Sequence, residues 1–145
     1  TSHHNPSLRY QSALILGELK GSLGIETLRL LCSDQDPMVR LTAAVALNRK
    51  ESDDCREVFS NAINDEDYGI RSTTARILGE LKLPGRERLL SVAIMDKNIR
   101  VRTSATRALG MMGGAEAFPL LLNKLDDSEE VVRTYAAGNL IKLIK

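Results

Sequence analysis

The sequence predicts an all-α protein, a right-handed α-solenoid of about four and a half helical hairpins. Three observations carry that reading. Arginine stands at positions 9, 40, 71, 102 and 133, a constant period of 31. An aliphatic residue precedes each one, at Leu8, Val39, Ile70, Val101 and Val132, and seven residues after each comes Leu16, Leu47, Leu78, Leu109 or Leu140. Within a copy the apolar and small residues fall at helical spacing. In the third copy they are Ile70, Thr74, Ala75, Ile77, Leu78 and Leu81, which does not alternate as a strand would. The copies run approximately over 3–33, 34–64, 65–95, 96–126 and 127–145, within a single domain spanning 1–145.

The elements of a copy follow in order. Asn5, Asp36, Asp67 and Asn98 are good N-caps for the first helix, and Pro6 and Pro37 suit its first position. Small residues recur along it: Ser12, Ala43, Thr74, Ala105 and Ala136, then Ala13, Ala44, Ala75, Thr106 and Ala137. Gly17, Gly79 and Gly110 come near its end, where a missing side chain lets another helix approach closely. Breakers then end it, at Gly21 to Gly24, Ser52-Asp53-Asp54, Pro84-Gly85 and Gly113-Gly114. The second helix has core columns at Leu28, Phe59, Leu90 and Leu121 and, four residues on, Cys32, Ile63, Ile94 and Leu125, flanked by Thr27, Val58, Leu89 and Leu120. One such hairpin cannot bury its apolar face alone, so neighbours must stack. The last copy is a single helix ending LIKLIK, whose interleaved lysines suit a C-terminal cap. The first copy has no obvious polar cap and leaves Tyr10 and Leu14 to solvent or to preceding sequence.

Composition narrows the function classes. With 145 residues, 43% hydrophobic and 27% charged, the chain can bury a real core as a soluble unit. A net charge of +1 with mixed signs makes no electrostatic case for nucleic acid, an anionic membrane or a polyanion. Aromatic content of 3% with no Trp removes the usual stacking platforms for single strands. No apolar run approaches a membrane span, and no signal-peptide pattern opens the chain, which begins without Met. The two cysteines fit no metal or redox spacing. Cys32 reads as a small core residue, and a reducing, cytoplasmic setting is the simplest expectation.

The run DQDPMVRLTAAVAL, Asp34 to Leu47, has the form D-x-D-P-x-V-R-x-x-A-A-x-A-L. It resembles the HEAT repeat, and more narrowly the 31-residue HEAT-like repeat of phycobilisome lyases, over essentially the whole chain. The resemblance implies an inter-repeat ladder of hydrogen bonds between the aspartate column, Asp34, Asp65, Asp96 and Asp127 (His3 in the first copy), and the arginine column, Arg40, Arg71, Arg102 and Arg133. The planar fork of arginine can bridge a carboxylate and backbone carbonyls together. Five arginines at one register also suit a scaffold, since a binding site rarely needs the same group from every copy.

Catalytic candidates are few. The only histidines, His3 and His4, are adjacent at the N-terminus, where a frayed end or tag residues explain them. Enzymes that resemble this scaffold and bind di-iron use His-Glu pairs, and this chain has none. No Ser/His/Asp set, GxxxxGK[ST] or GxGxxG element occurs. The expectation is a non-enzyme without metal or cofactor. For nucleic acid, Arg76 and Arg107 share an exposed column as a secondary basic face, with Arg49, Arg100 and Lys142 nearby. Glu18 and Glu80 occupy the neighbouring column and favour an ordinary solvated face. For protein binding, the second helices carry positions the scaffold does not constrain: Glu26, Arg29, Leu30; Glu57, Ser60, Asn61; Arg88, Ser91, Val92; and Pro119, Leu122, Asn123. These columns change chemistry from copy to copy, and Leu30, Val92 and Leu122 are apolar where packing does not require it. The sequence therefore reads as a monomeric scaffold or adaptor, or a domain of a larger chain, that binds another protein along a curved face. An accessory subunit resembling a phycobilin lyase and a nucleic-acid-binding module are the alternatives.

Overall fold

Each of the first four copies starts its first helix where a short polar side chain turns back on the chain. Asn5 accepts from the backbone N–H of Ser7, Asp36 from Met38 and Val39, Asp67 from Gly69, and Asn98 from Arg100. Each cap satisfies a donor that the helix itself leaves without a partner. The computed structural model describes residues 4–145; His3, counted in the aspartate column, lies outside them. Among the described residues there are nine α-helices: α1 (Pro6–Glu18), α2 (Ile25–Leu31), α3 (Pro37–Arg49), α4 (Glu57–Ala62), α5 (Tyr68–Glu80), α6 (Arg86–Ala93), α7 (Ile99–Met112), α8 (Ala117–Asn123) and α9 (Glu130–Leu143). A 3-10 turn, Lys124–Asp126, joins α8 to α9. The helices fall into two compact units, the first ending at Ala62 and the second spanning Ile63–Lys145.

In the first unit α3 is central, with α1, α2 and α4 packed against it. Its core is built from the repeat columns: Ala13, Leu28, Val39, Ala43, Ala44, Leu47 and Phe59 are buried. Gly17 explains how α1 and α3 approach, since a Cβ there would lie 3.0 Å from the Cβ of Ala46. Lys50, just after α3, donates to the carbonyls of Leu19 and Gly21 and closes the end of the hairpin. Leu8 is 46% exposed although its column mates are buried, because no described helix covers that side of α1. Leu14 is exposed as the sequence implies, and Tyr10 is half-buried.

The cysteines require a correction. Cys32 is buried, as its apolar register implies, but it is not a free thiol: it is bonded to Cys55, with Cα atoms 6.1 Å apart. The bond ties the C-terminal end of α2 to the turn before α4. It closes a loop of sequence separation 23, which restricts the unfolded chain. The inference of a reducing compartment loses its premise, because disulfides persist in oxidising ones.

In the second unit α7 lies between α5 and α9, and α6 and α8 pack on these first helices. Ile70, Ala75, Leu78, Leu90, Val101, Ala105, Leu109, Leu121, Val132 and Ala136 form the core. Burying each valine, leucine or isoleucine of this set contributes roughly 1.5–3 kcal/mol. Gly79 is the tightest point of the α5–α7 contact, for a Cβ there would fall 2.7 Å from the Cα of Ala108. Over Gly110 lies the side chain of Asn139, whose Nδ2 donates to the Thr106 carbonyl at 3.0 Å. One core column departs from expectation: Leu125, in the 3-10 turn after α8, is 37% exposed where its column mates Cys32, Ile63 and Ile94 are buried. Lys124 is buried beside it, with Nζ 3.6 Å from Asp127 Oδ2.

Candidate functional site

The arginine that breaks the apolar run of α5 is surrounded by acceptors. Arg71 Nε and Nη2 donate to Asp96 Oδ2 and Oδ1 at 2.7 and 3.0 Å. Its Nη1 donates to the carbonyls of Asp65 and Glu66 at 2.8 and 3.0 Å. Arg102 repeats the arrangement one copy later, with Asp127 at 3.0 and 3.1 Å and the carbonyls of Asp96 and Lys97 at 3.0 and 3.2 Å. In the first unit Arg9 grips Asp34 at 2.6 and 2.9 Å. Each aspartate also fixes its own loop: Oδ1 of Asp34, Asp65, Asp96 and Asp127 accepts the backbone N–H two residues on. Arg40 and Arg133 hold the carbonyls of their own loops in the same way.

These pairs are buried, and their protonation follows from that. Burial pushes the Asp96 carboxyl up, but the Arg71 guanidinium and the Asn98 N–H hold it below the usual aspartate range. Asp127 behaves alike with Arg102 and Glu129, and the bond to Arg9 keeps Asp34 low against its burial. Every nitrogen of the Arg71 and Arg102 forks is engaged within the unit. These rungs link neighbouring hairpins within each unit, and acceptors of the protein itself occupy the forks of Arg71 and Arg102.

The second helices present a different surface. In the first unit Glu26, Arg29 and Leu30 on α2 and Glu57, Ser60 and Asn61 on α4 are exposed, Leu30 at 73%. Arg29 is committed to Glu26 and, at 2.7 Å, to Asp54. In the second unit Val92 on α6 and Leu122 on α8 are each 50% exposed, with Arg88 and Asn123 exposed beside them. Ser91 is half-buried and its hydroxyl donates to the Arg88 carbonyl. Sequence reasoning missed Met95 and Phe118, which are exposed next to this set. Their columns are polar in other copies (Glu87, in register with Phe118, for one), a contrast that could have flagged them. Val92 and Met95 line an open groove of about 660 Å³ with Ile63, Asp65, Glu66 and Lys97 on its sides. Aliphatic, amide and charged groups of this kind can bury apolar surface and pair charges with a partner.

The secondary basic face also divides by contact. Arg76 is paired with Glu80 at 3.2 Å, whereas the guanidinium of Arg107 lies 5.3 Å from the centre of the Tyr135 ring. Arg100 lies 5.9 Å from that of Tyr68. Lys142 is exposed on α9, and Arg49 is exposed in the first unit. No helix among the described residues is long and apolar enough to cross a membrane.

Residues 56–141 match the family described as HEAT repeats. No curated protein sequence matches the chain. Among solved structures it is similar to human deoxyhypusine hydroxylase in complex with glycerol, with a TM-score of 0.67 and 22% identity, over 83% of this chain and 43% of that one. It is also similar to Cex1p, with a TM-score of 0.71 and 16% identity, over 99% of this chain and 33% of that one. The chain thus spans less than half the length of either, and at these identities the likeness concerns the fold.

Proposed function

The chain belongs to the HEAT-repeat family, an all-α solenoid of helical hairpins, and on that premise we propose that it is a non-catalytic scaffold that binds another protein through its second helices. The observation that carries this is the exposure of Leu30 on α2 in the first unit and, in the second, of Val92 on α6, Met95 in the turn after α6 and Leu122 on α8, apolar positions that the packing leaves uncovered. Stacked repeats of this kind provide extended surfaces that can be tailored to a partner while the core columns stay constant. The pairing of Arg9, Arg71 and Arg102 with aspartates of the next copy supports the same reading, since it takes these regularly spaced cations out of contact with a ligand. A sequence whose only histidines are His3 and His4 supports a non-enzyme. The phycobilin-lyase-like and nucleic-acid alternatives gain no observation of their own. The finer family assignment, to the phycobilisome-lyase type of repeat, rests on the 31-residue period. A cytoplasmic setting keeps no support from the cysteines once they are bonded.

Affinity capture with parent protein and a Leu122→Glu variant tests the proposal. A charge at this exposed position on α8 should abolish recovery of a discrete polypeptide while the melting temperature stays within about 2 °C, since surface changes lie within ~0.5 kcal/mol. Equal capture by Leu122→Glu and Val92→Glu variants would place the binding surface elsewhere.

A further inference from the structure

We propose that the first helices of the second unit carry a separate docking surface for an acidic peptide segment, centred on Arg100 and Arg107 of α7. The two arginines lean in opposite directions, Arg100 over Tyr68 of α5 at 5.9 Å and Arg107 over Tyr135 of α9 at 5.3 Å. Stacking on a ring takes one face of a guanidinium out of water and holds the plane still, while the N–H donors at its edge stay available. Among the described residues neither arginine has an ion pair, in contrast to Arg71, Arg76 and Arg102. Both are exposed, as are the two tyrosines. They are donors set in place without an acceptor.

Their spacing selects the partner. Arg100 and Arg107 are two turns apart on one helix, ~10.5 Å along its axis, and lean further apart onto different neighbours. A single anion cannot bridge them, whereas a chain with several carboxylates can. Between them on the same face lies Ser104, its hydroxyl 2.8 Å from that of Ser72, which adds polar but uncharged surface. A nucleic acid fits less well. A guanidinium already lies over each tyrosine ring and competes with a base for stacking there. The net charge of +1 supplies no wider field for a phosphate backbone. A carboxylate-bearing segment needs only the two forks, each able to donate a bidentate pair of hydrogen bonds to one carboxylate.

Fluorescence anisotropy in 20 mM salt can test this with a labelled twelve-residue Pro/Ser peptide carrying glutamate at every third position. Comparison probes are its Gln counterpart and a twelve-residue oligothymidylate. The glutamate peptide should bind best, and affinity should fall about tenfold for Arg107→Gln and again for Arg100→Gln. Arg76→Gln should change it less than twofold, since that side chain already has Glu80. Melting temperatures should be unchanged throughout. No saturation at 1 mM peptide, parent-like binding by the double R100Q/R107Q variant, or tighter binding of the oligothymidylate would each overturn the proposal.

Discussion

Replacing Arg71 by alanine should cost about 3 kcal/mol of stability. The side chain is 7% exposed and makes two bonds to Asp96 and two to backbone carbonyls. Charge-assisted bonds contribute ~1.5–3 kcal/mol each, so a simple sum overshoots because it omits the cost of taking the guanidinium out of water. The better measure is what truncation leaves behind, namely a largely buried carboxylate and two carbonyls. Orphaning one partner of such a pair costs ~3–5 kcal/mol. The Asp96 side chain keeps 11% exposure and can partly rehydrate, which sets the expectation at the low end. With an unfolding entropy of ~2.1 cal/mol/K per residue, a 145-residue chain should lose about 10 °C of melting temperature. Urea unfolding followed by circular dichroism, alongside calorimetry, measures both quantities. A double Arg71→Met, Asp96→Leu protein should recover much of the loss, because no charge is then stranded. A single variant that loses less than ~1 kcal/mol, or a double variant worse than the single, would refute the reasoning.

Gly79→Ala should destabilise by roughly 1–3 kcal/mol, because its Cβ would fall within 2.8 Å of backbone and Cβ atoms of Ala108, which cannot swing aside; a lower urea midpoint is the check. Reducing the Cys32–Cys55 bond should cost about 3 kcal/mol from the released loop, read as the urea midpoint with and without reductant. Thiols that titrate in unfolded, unreduced protein would contradict it. The Asp96 and Asp127 carboxyls titrate below their unfolded values, so their stabilisation is complete above those values and lost as pH falls through the folded ones. The urea midpoint should therefore drop below about pH 4, and the drop should be shallower in Asp96→Asn.

Periodicity made much of the molecule legible from the sequence. Residues that recur every 31 positions must sit in equivalent surroundings, so the caps at Asn5, Asp36, Asp67 and Asn98 could be read off, as could the buried columns ending in Leu47, Leu78 and Leu109. The close approach at Gly79 followed from the same register. The exposed Leu30, Val92 and Leu122 were visible as apolar residues in columns that packing leaves alone. What the sequence could not reveal were contacts with no fixed place in the repeat. Cys32 and Cys55 are brought together only because the end of α2 packs near the start of α4. The stacking of Arg100 and Arg107 on tyrosines of two different helices needs the lateral order of α5, α7 and α9. Leu125 keeps its column but is exposed in the 3-10 turn after α8. One-dimensional order states which positions are alike; three-dimensional packing decides which unlike positions touch, and the chemistry available to a partner depends on those contacts.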